Sequence, residues 1–402
     1  MRVDVVSRTL TNGDLAPATR LARLTSVDTL RGIVMIVMAL DHVRDFFGVP
    51  GISPTNLAQT TVPLFMTRWI THICAPTFFL LTGTGAFLSL RKKSVVELSW
   101  FLLTRGLWLV FLEVTVIRCL GFQFNFDYQV TMLVVLWALG GAMIALAALV
   151  WLPLWLIATI AIAMIAGHNL LDGIRSANPW WVLLHQPGFV FNRPGFVVFA
   201  SYPLIPWIGV TAAGYVLGQI YSWSSEKRRG FLLKTGLGLV VAFIVLRTWN
   251  IYGDPVQWAP QNSFGLSVVS YLNATKYPPS LLFLLMALGP SLLILRALDR
   301  GVPVWLQPSL VFGRVPLFYF VLHLSLIHLL AVIVCYTQNG SAHWMFESPN
   351  LGAYPFTPPP GWGLSLPVIY AIWVLVVAML YPVCRRFAAL KQRRNEVWLS
   401  YL

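Results

Sequence analysis

The stretch Asp28-Thr29-Leu30-Arg31-Gly32-Ile33-Val34-Met35-Ile36-Val37-Met38-Ala39-Leu40-Asp41-His42-Val43-Arg44-Asp45 decides how the chain is read. From Gly32 to Leu40 it is apolar, the glycine aside, with Arg31 at one end and Asp41, His42, Arg44 and Asp45 crowded at the other. A plain membrane anchor has no use for such a run. Ionisable groups near hydrocarbon are costly and normally line a bundle interior or a wet cavity. At about 100° per residue, the step from Arg31 to His42 is three turns plus about 20°. Both side chains therefore project from one helix face, roughly 16 Å apart along the axis. The segment predicts a helix with a cation near one membrane surface and an imidazole near the other.

Composition sets the class around it. Of 402 residues, 57% are hydrophobic and only 10% charged, and 17 are tryptophan. A water-soluble domain of this length does not need so much apolar material, so the expected fold is an all-α polytopic membrane protein. Apolar runs predict ten transmembrane helices in one bundle, at about 26–47, 63–90, 98–120, 129–150, 153–171, 201–221, 231–249, 278–298, 309–336 and 364–384. A break is expected near Gly313-Arg314-Val315-Pro316. No internal repeat or separate soluble domain is visible. The chain divides into a flexible cytoplasmic lead-in (1–25), a transmembrane domain (26–385) and a basic tail (386–402).

The net charge of +14 raises the question of nucleic acid, but its distribution speaks for membrane orientation and against a nucleic-acid partner. Most of the 28 lysines and arginines fall in the two tails and in the 91–93, 227–229 and 296–300 turns. With ten helices, that bias predicts both termini in the cytoplasm, Arg31 near the cytoplasmic face and His42 near the outer one. Cys74, Cys119, Cys335 and Cys384 lie scattered in apolar segments. They support neither a disulfide framework nor a zinc site, and no metal is expected. The first apolar run is followed by charged residues rather than a small-residue cleavage site, so no signal peptide is expected.

Val27-Asp28-Thr29-Leu30-Arg31-Gly32 followed by Asp41-His42 resembles the first helix of heparan-α-glucosaminide N-acetyltransferase and its bacterial relatives. The Arg-x10-His spacing is similar to that of the wider group of membrane acyltransferases that O-acetylate surface polysaccharides. Further stretches carry the resemblance in order along the chain. They are Ala75-Pro76-Thr77-Phe78-Phe79-Leu80-Leu81-Thr82-Gly83, Pro203-Leu204-Ile205-Pro206-Trp207-Ile208-Gly209, Thr275-Lys276-Tyr277-Pro278-Pro279-Ser280, and Phe312-Gly313-Arg314-Val315-Pro316 with His323. The resemblance implies an acetyl-CoA-dependent N- or O-acyltransferase of the bacterial inner (cell) membrane. Its acceptor would be a sugar amine or hydroxyl on the outer side. In one respect the chain departs from the animal lysosomal enzymes, which carry Asn where His42 stands and place their catalytic histidine later. No histidine occurs here between His42 and His72, so the imidazole duty falls on His42.

The chemistry assigns roles to residues. Acetyl transfer from a thioester needs a base for the acceptor's proton, groups for the developing oxyanion, and a cationic grip on the donor's phosphates. His42 suits the first task, with Asp41 and Asp45 beside it and Asp45, at i+3, placed to orient the ring. Arg31 and Arg105, inside predicted helices, suit the grip on acetyl-CoA. Arg44, His72, Lys276 and His323 are candidates for holding acceptor or oxyanion. Each has a plainer alternative. Arg31 and Lys276 are placed where snorkelling anchors occur, Arg105 within reach of Glu97 or Glu113, and His323 among leucines. Trp180, Trp181, Trp258, Trp344 and Trp362 suit sugar stacking and an interfacial belt equally. A sugar or lipid transporter or flippase is the alternative function, although it favours midplane sites and repeat symmetry. The acceptor's identity and the oligomeric state, a homodimer included, stay open.

Overall fold

The structure, a computed structural model, describes residues 17–349, 351–394, 396 and 399, with residues 17–24 and 353 by backbone only. The expected lead-in lies outside the described residues up to residue 16, and the expected tail lies outside them at 395, 397, 398 and 400–402. The first half of the chain forms α1 (Pro17–Phe47), α2 (Val62–Thr71), α3 (Cys74–Ser89), α4 (Val95–Leu112), β1 (Val130–Leu133), α5 (Val135–Leu149), α6 (Leu154–Gly167) and α7 (Pro179–Leu184). Then follow β2 (Gly188–Arg193), β3 (Phe196–Ala200), α8 (Leu204–Leu217), α9 (Ser225–Trp249), α10 (Phe264–Leu272), α11 (Leu281–Leu298), α12 (Gln307–Arg314), α13 (Pro316–Asn339) and α14 (Leu366–Arg393).

Eight helical stretches among the described residues are long and apolar enough to cross a membrane. They are Val62–Ser89, Val95–Phe122, Leu154–Leu171, Leu204–Ser222, Ser225–Trp249, Leu281–Leu298, Pro316–Asn339 and Leu366–Arg393. The apolar α5 is shorter, and α1 carries the charged residues that make it unlike a simple anchor. α1 is the axle of the bundle. It packs against α2, α3, α11, α12, α13 and α14, and buries Leu30, Met35, Ala39, Val43 and Phe46.

Close helix contact depends on glycines. A β-carbon on Gly32 would lie 1.8 Å from the Ser309 carbonyl oxygen, and one on Gly313 would lie 1.8 Å from that of Asp28. α1 and α12 therefore touch backbone to backbone, which no larger residue at either position permits. Gly83 and Gly214 serve the same purpose between α3 and α8.

Between α12 and α13 the helix breaks where expected. Val315 leaves the helical region (φ −132°, ψ 50°), since the residue before a proline is kept from it and Pro316 has no N–H to continue the ladder. The span that starts as α4 changes winding at Glu113, and the segment Glu113–Phe122 forms wider π-helical turns. The Glu113 carboxylate accepts from the backbone N–H groups of Leu136 (2.7 Å) and Trp137 (3.0 Å), capping α5 from outside.

The all-α expectation needs one correction. Three strands form a small sheet in the order β1-β3-β2, β1 parallel and β2 antiparallel to β3. The helix expected from 129 therefore begins at Val135. Before it, Val130 to Leu133 pair with Val197 to Ala200, satisfying backbone groups that would otherwise lie unpaired beside the cavity. Gly195 turns the β2–β3 hairpin at φ +74°. At the other end of the chain, α14 continues to Arg393, beyond the expected end at 384, and keeps Lys391 on the helix.

Candidate active site

One cavity of about 830 Å³ runs alongside α1 and is lined by both Arg31 and His42, as their shared helix face requires. Around Arg31 it collects Ser89, Arg105, Arg314 and Lys391. Its middle is apolar, with Met38, Phe78, Leu81, Leu102, Leu139 and Met143. Around His42 it is lined by Asp41, Asp45, Arg68, Lys276, Tyr277, Tyr202 and Tyr354, and roofed by Met132 and Phe199 of the small sheet.

At the Arg31 end, the guanidinium donates to Asp28 Oδ1 (2.7 Å) and to the Gly313 carbonyl (3.2 Å). Those bonds hold it beside α12, whose last residue is Arg314. Lys391 lies within electrostatic reach of Arg105, Arg31 and Asp28. Arg105 stacks over Phe101, 5.9 Å from its ring centre. The glutamates considered as its partners serve elsewhere: Glu97 completes a capping box with Ser94, and Glu113 caps α5. Four cations from four helices thus converge on one pole.

Asp41 is the hub of the opposite pole. Its Oδ2 pairs with Arg68, its Oδ1 with Arg44 Nη2 (2.9 Å), and Lys276 Nζ stands 3.9 Å from Oδ2. Arg68 Nη2 also reaches the Tyr277 hydroxyl at 3.5 Å, and Lys276 lies over the Tyr277 ring at 5.2 Å. The segment carrying Lys276 and Tyr277 is fixed by Asp254. That carboxylate accepts from Thr275 N (2.8 Å), Thr275 Oγ1 (2.9 Å) and Ser280 Oγ (2.6 Å). Burial pushes the Tyr277 phenol up, but Lys276 and Arg68 outweigh it and hold the group below the ordinary tyrosine range.

His42 itself is bonded to neither flanking carboxylate. Asp45 bonds Arg44 Nη2 at 2.5 Å and its side chain is 41% exposed. Its expected part in orienting the ring gives way because Asp41 and Asp45 bracket the Arg44 guanidinium between them. The ring's closest aromatic company is His323 (centroids 5.2 Å), Phe122 (5.8 Å) and Phe320 (6.3 Å). His323 Nδ1 lies 3.0 Å from the Tyr319 carbonyl, which can only accept, so Nδ1 carries the proton and Nε2 presents a lone pair. That Nε2 and Nδ1 of His42 are both buried without a hydrogen-bond partner.

His72 is not part of the cavity lining. It lies one turn beyond Arg68, buried, with its ring 5.2 Å from Phe283. Arg44 lines a second cavity of about 760 Å³, whose walls include Val49, Ile52, Tyr354, Phe356, Pro358 and Trp362. The two cavities share Asp45, Tyr354 and Pro355, so they meet beside His42. Trp362 packs on Phe47 and donates Nε1–H to the Phe46 carbonyl at 3.0 Å, which makes it a wall rather than a loose stacking platform.

Sequence reasoning passed over Arg68, Arg314 and Lys391 as site residues. Arg68 carried the same signal as Arg31, an ionisable side chain inside an apolar run. Arg314 sits at a helix break and Lys391 in a basic run after an apolar one, positions that by themselves signal neither a site nor a partner.

A helical membrane bundle in which a cavity along α1 joins a cationic pole to an imidazole pole has the makings of a membrane-embedded group transferase. The family model described as heparan-alpha-glucosaminide N-acetyltransferase, catalytic, matches residues 23–252, more than half of the chain. The chain belongs to that family and is a multi-pass membrane transferase. The stretches 275–280 and 312–316 lie beyond the matched residues, yet they meet α1 in the same cavity. No curated protein matches the chain. The transporter alternative gains no support from the family.

Proposed function

We propose that this chain moves an acetyl group from cytoplasmic acetyl-CoA to a sugar amine or hydroxyl presented on the outer side of a bacterial inner membrane. The observation that carries the proposal is the single cavity with Arg31, Arg105, Arg314 and Lys391 at one pole and His42 at the other. Roughly 16 Å of helix separates the poles, a span suited to an extended pantetheine arm. In this arrangement α1 and α5 join the eight long spans as the ninth and tenth crossings. Both termini and the cationic pole face the cytoplasm, where the lysine and arginine bias supports placing them. The second cavity, opening by Tyr354 and Asp45, is the approach for the acceptor.

The arginines and Lys391 hold the donor's phosphates, and the apolar middle receives the arm. His42 takes a proton from the acceptor's amine or hydroxyl as that atom attacks the thioester carbonyl. Lys276 and Tyr277 face the oxyanion that develops. Collapse breaks the carbon–sulfur bond, and the proton on His42 passes to the departing thiolate. His323 positions the base: its unpartnered Nε2 lone pair stands beside the equally unpartnered Nδ1 of His42, and a small approach of the two rings in the reacting complex would let it accept Nδ1–H and leave Nε2 of His42 as the basic atom.

Purified protein given acetyl-CoA and candidate amino sugars or glycans should release thiol only when an acceptor is present. His42→Ala should lower turnover by about two to four orders of magnitude while donor binding holds. Wild-type protein that binds no acyl-CoA, or a His42→Ala variant with near-normal turnover, would overturn the assignment. An acetyl adduct on His42 in the absence of acceptor would replace direct transfer with a two-step route.

A further inference from the structure

We propose that His168, Asp172 and His185 form a binding site for a zinc-type divalent transition metal that ties down the lip of the reaction cavity. The three residues come from two segments: the turn His168–Leu171 with Asp172 directly after α6, and the C-cap of α7. One ligand atom from each lies within 4.8 Å of the other two. His185 Nε2 is 3.7 Å from Asp172 Oδ1, and the two imidazole centres are 5.8 Å apart.

His168 is the residue that asks for a ligand. It is 2% exposed, and neither ring nitrogen completes a hydrogen bond, although the Pro279 carbonyl lies beside the ring. Burying an imidazole with its nitrogens unmatched is unfavourable, and a metal ion on one of them removes that cost. The other two ligands are already oriented. Asn169 Nδ2 holds Asp172 Oδ2 at 2.8 Å, leaving Oδ1 toward the histidines. Trp181 stacks on His185 at 5.0 Å, and His185 Nε2 donates to the His168 carbonyl at 2.8 Å. Metal binding at Nε2 would displace that bond, with the ring proton moving to Nδ1 so that His185 remains a neutral ligand. Two imidazoles and one carboxylate suit zinc and its neighbours rather than calcium or magnesium, which prefer all-oxygen cages.

None of the three residues lines the cavity, so the metal's part is structural. Asn169 Oδ1 accepts from Leu281 N at 2.9 Å, at the start of α11, and Pro279 closes the Lys276-Tyr277 segment. Pro187, two residues after His185, does line the cavity. A metal here would join the end of α6, the α7 segment and the lip that carries Lys276 and Tyr277.

The test uses full-length protein with a tag that contains no histidines. After chelator treatment and dialysis against micromolar zinc, the metal is counted per chain by elemental analysis. Wild type should hold one zinc per chain, and cobalt in its place should give visible ligand-field bands. His168→Ala and His185→Ala should hold none, and chelator should lower the melting temperature of wild type alone. Asp172→Asn keeps the side chain's shape and should weaken zinc binding by about 10- to 100-fold even if the histidine variants fold poorly. Folded wild type without zinc after dialysis, or equal zinc in wild type and variants, would overturn the site.

Discussion

Around Asp41 and Asp45, three cations (Arg44, Arg68 and Lys276) are gathered onto two carboxylates. Around Arg31, four cations gather, and among the described residues Asp28 is the carboxylate that pairs there. The first pole is close to neutral and internally bonded, so its charges hold one another in place. The second sets four cations beside Asp28 in a cleft with apolar walls, an arrangement that attracts anionic ligands. The difference teaches how one cavity divides its work. A balanced network positions groups for chemistry, whereas a cation-rich one draws in the negative charge that a ligand brings.

The largest expected effect comes from unbalancing the balanced pole. Asp41→Asn leaves Arg68, Arg44 and Lys276 facing one another with only Asp45 for compensation. Removing one partner of such a buried pair typically costs about 3–5 kcal/mol. Thermal unfolding in detergent should therefore show a large loss of stability. A variant that melts with wild type would mean that water, not Asp41, compensates those cations.

His323→Ala should come next. The side chain is fully buried behind His42 and does not line the cavity, so acyl-CoA affinity should hold while kcat falls by about a hundredfold, the scale of a misplaced catalytic group. A matching fall in donor affinity or in fold would reduce His323 to packing. Unchanged kcat would show that His42 finds its orientation elsewhere.

At the cationic pole, the effect belongs to binding alone. Arg31→Gln or Arg105→Gln should weaken acyl-CoA by about 1.5–3 kcal/mol, roughly ten- to a hundredfold, the range of a charge-assisted hydrogen bond. Titrations with donor analogues lacking individual phosphates would assign each arginine its group. If both variants bind donor as tightly as wild type, these residues are membrane anchors.

The contrast also explains what could be read from the sequence. α1 was legible because its charges interrupt an apolar run, and eleven residues on a helix fix a shared face whatever surrounds it. The broken helix at Pro316 was legible because proline is a local signal. The arrival of Arg68 at one pole and of Arg314 and Lys391 at the other was not, since side chains from α2, α12 and α14 reach the cavity only through packing. The small sheet was hidden for a different reason. From Met132 the chain runs without a polar residue into the apolar α5, and the lone Thr131 does not separate strand from helix. The part expected of Asp45 followed helical spacing correctly, but spacing cannot say that Arg44 competes for the same carboxylate.

That competition sets the smallest expected effect. Asp45 is 41% exposed and bonded to Arg44, while Asp41, deeper in the pole, binds both Arg44 and Arg68. Asp45→Asn removes a half-solvated charge whose pairing is worth about 1 kcal/mol or less. It leaves Arg44 still held by Asp41. Turnover should fall by no more than about fivefold, the rate equivalent of that energy, with donor affinity unchanged. Because exposed charges are screened by salt, the difference from wild type should shrink as ionic strength rises. A loss as deep as that of His42→Ala, persisting at high salt, would mean that Asp45 turns to the imidazole during the reaction and that the balanced pole rearranges when substrate arrives.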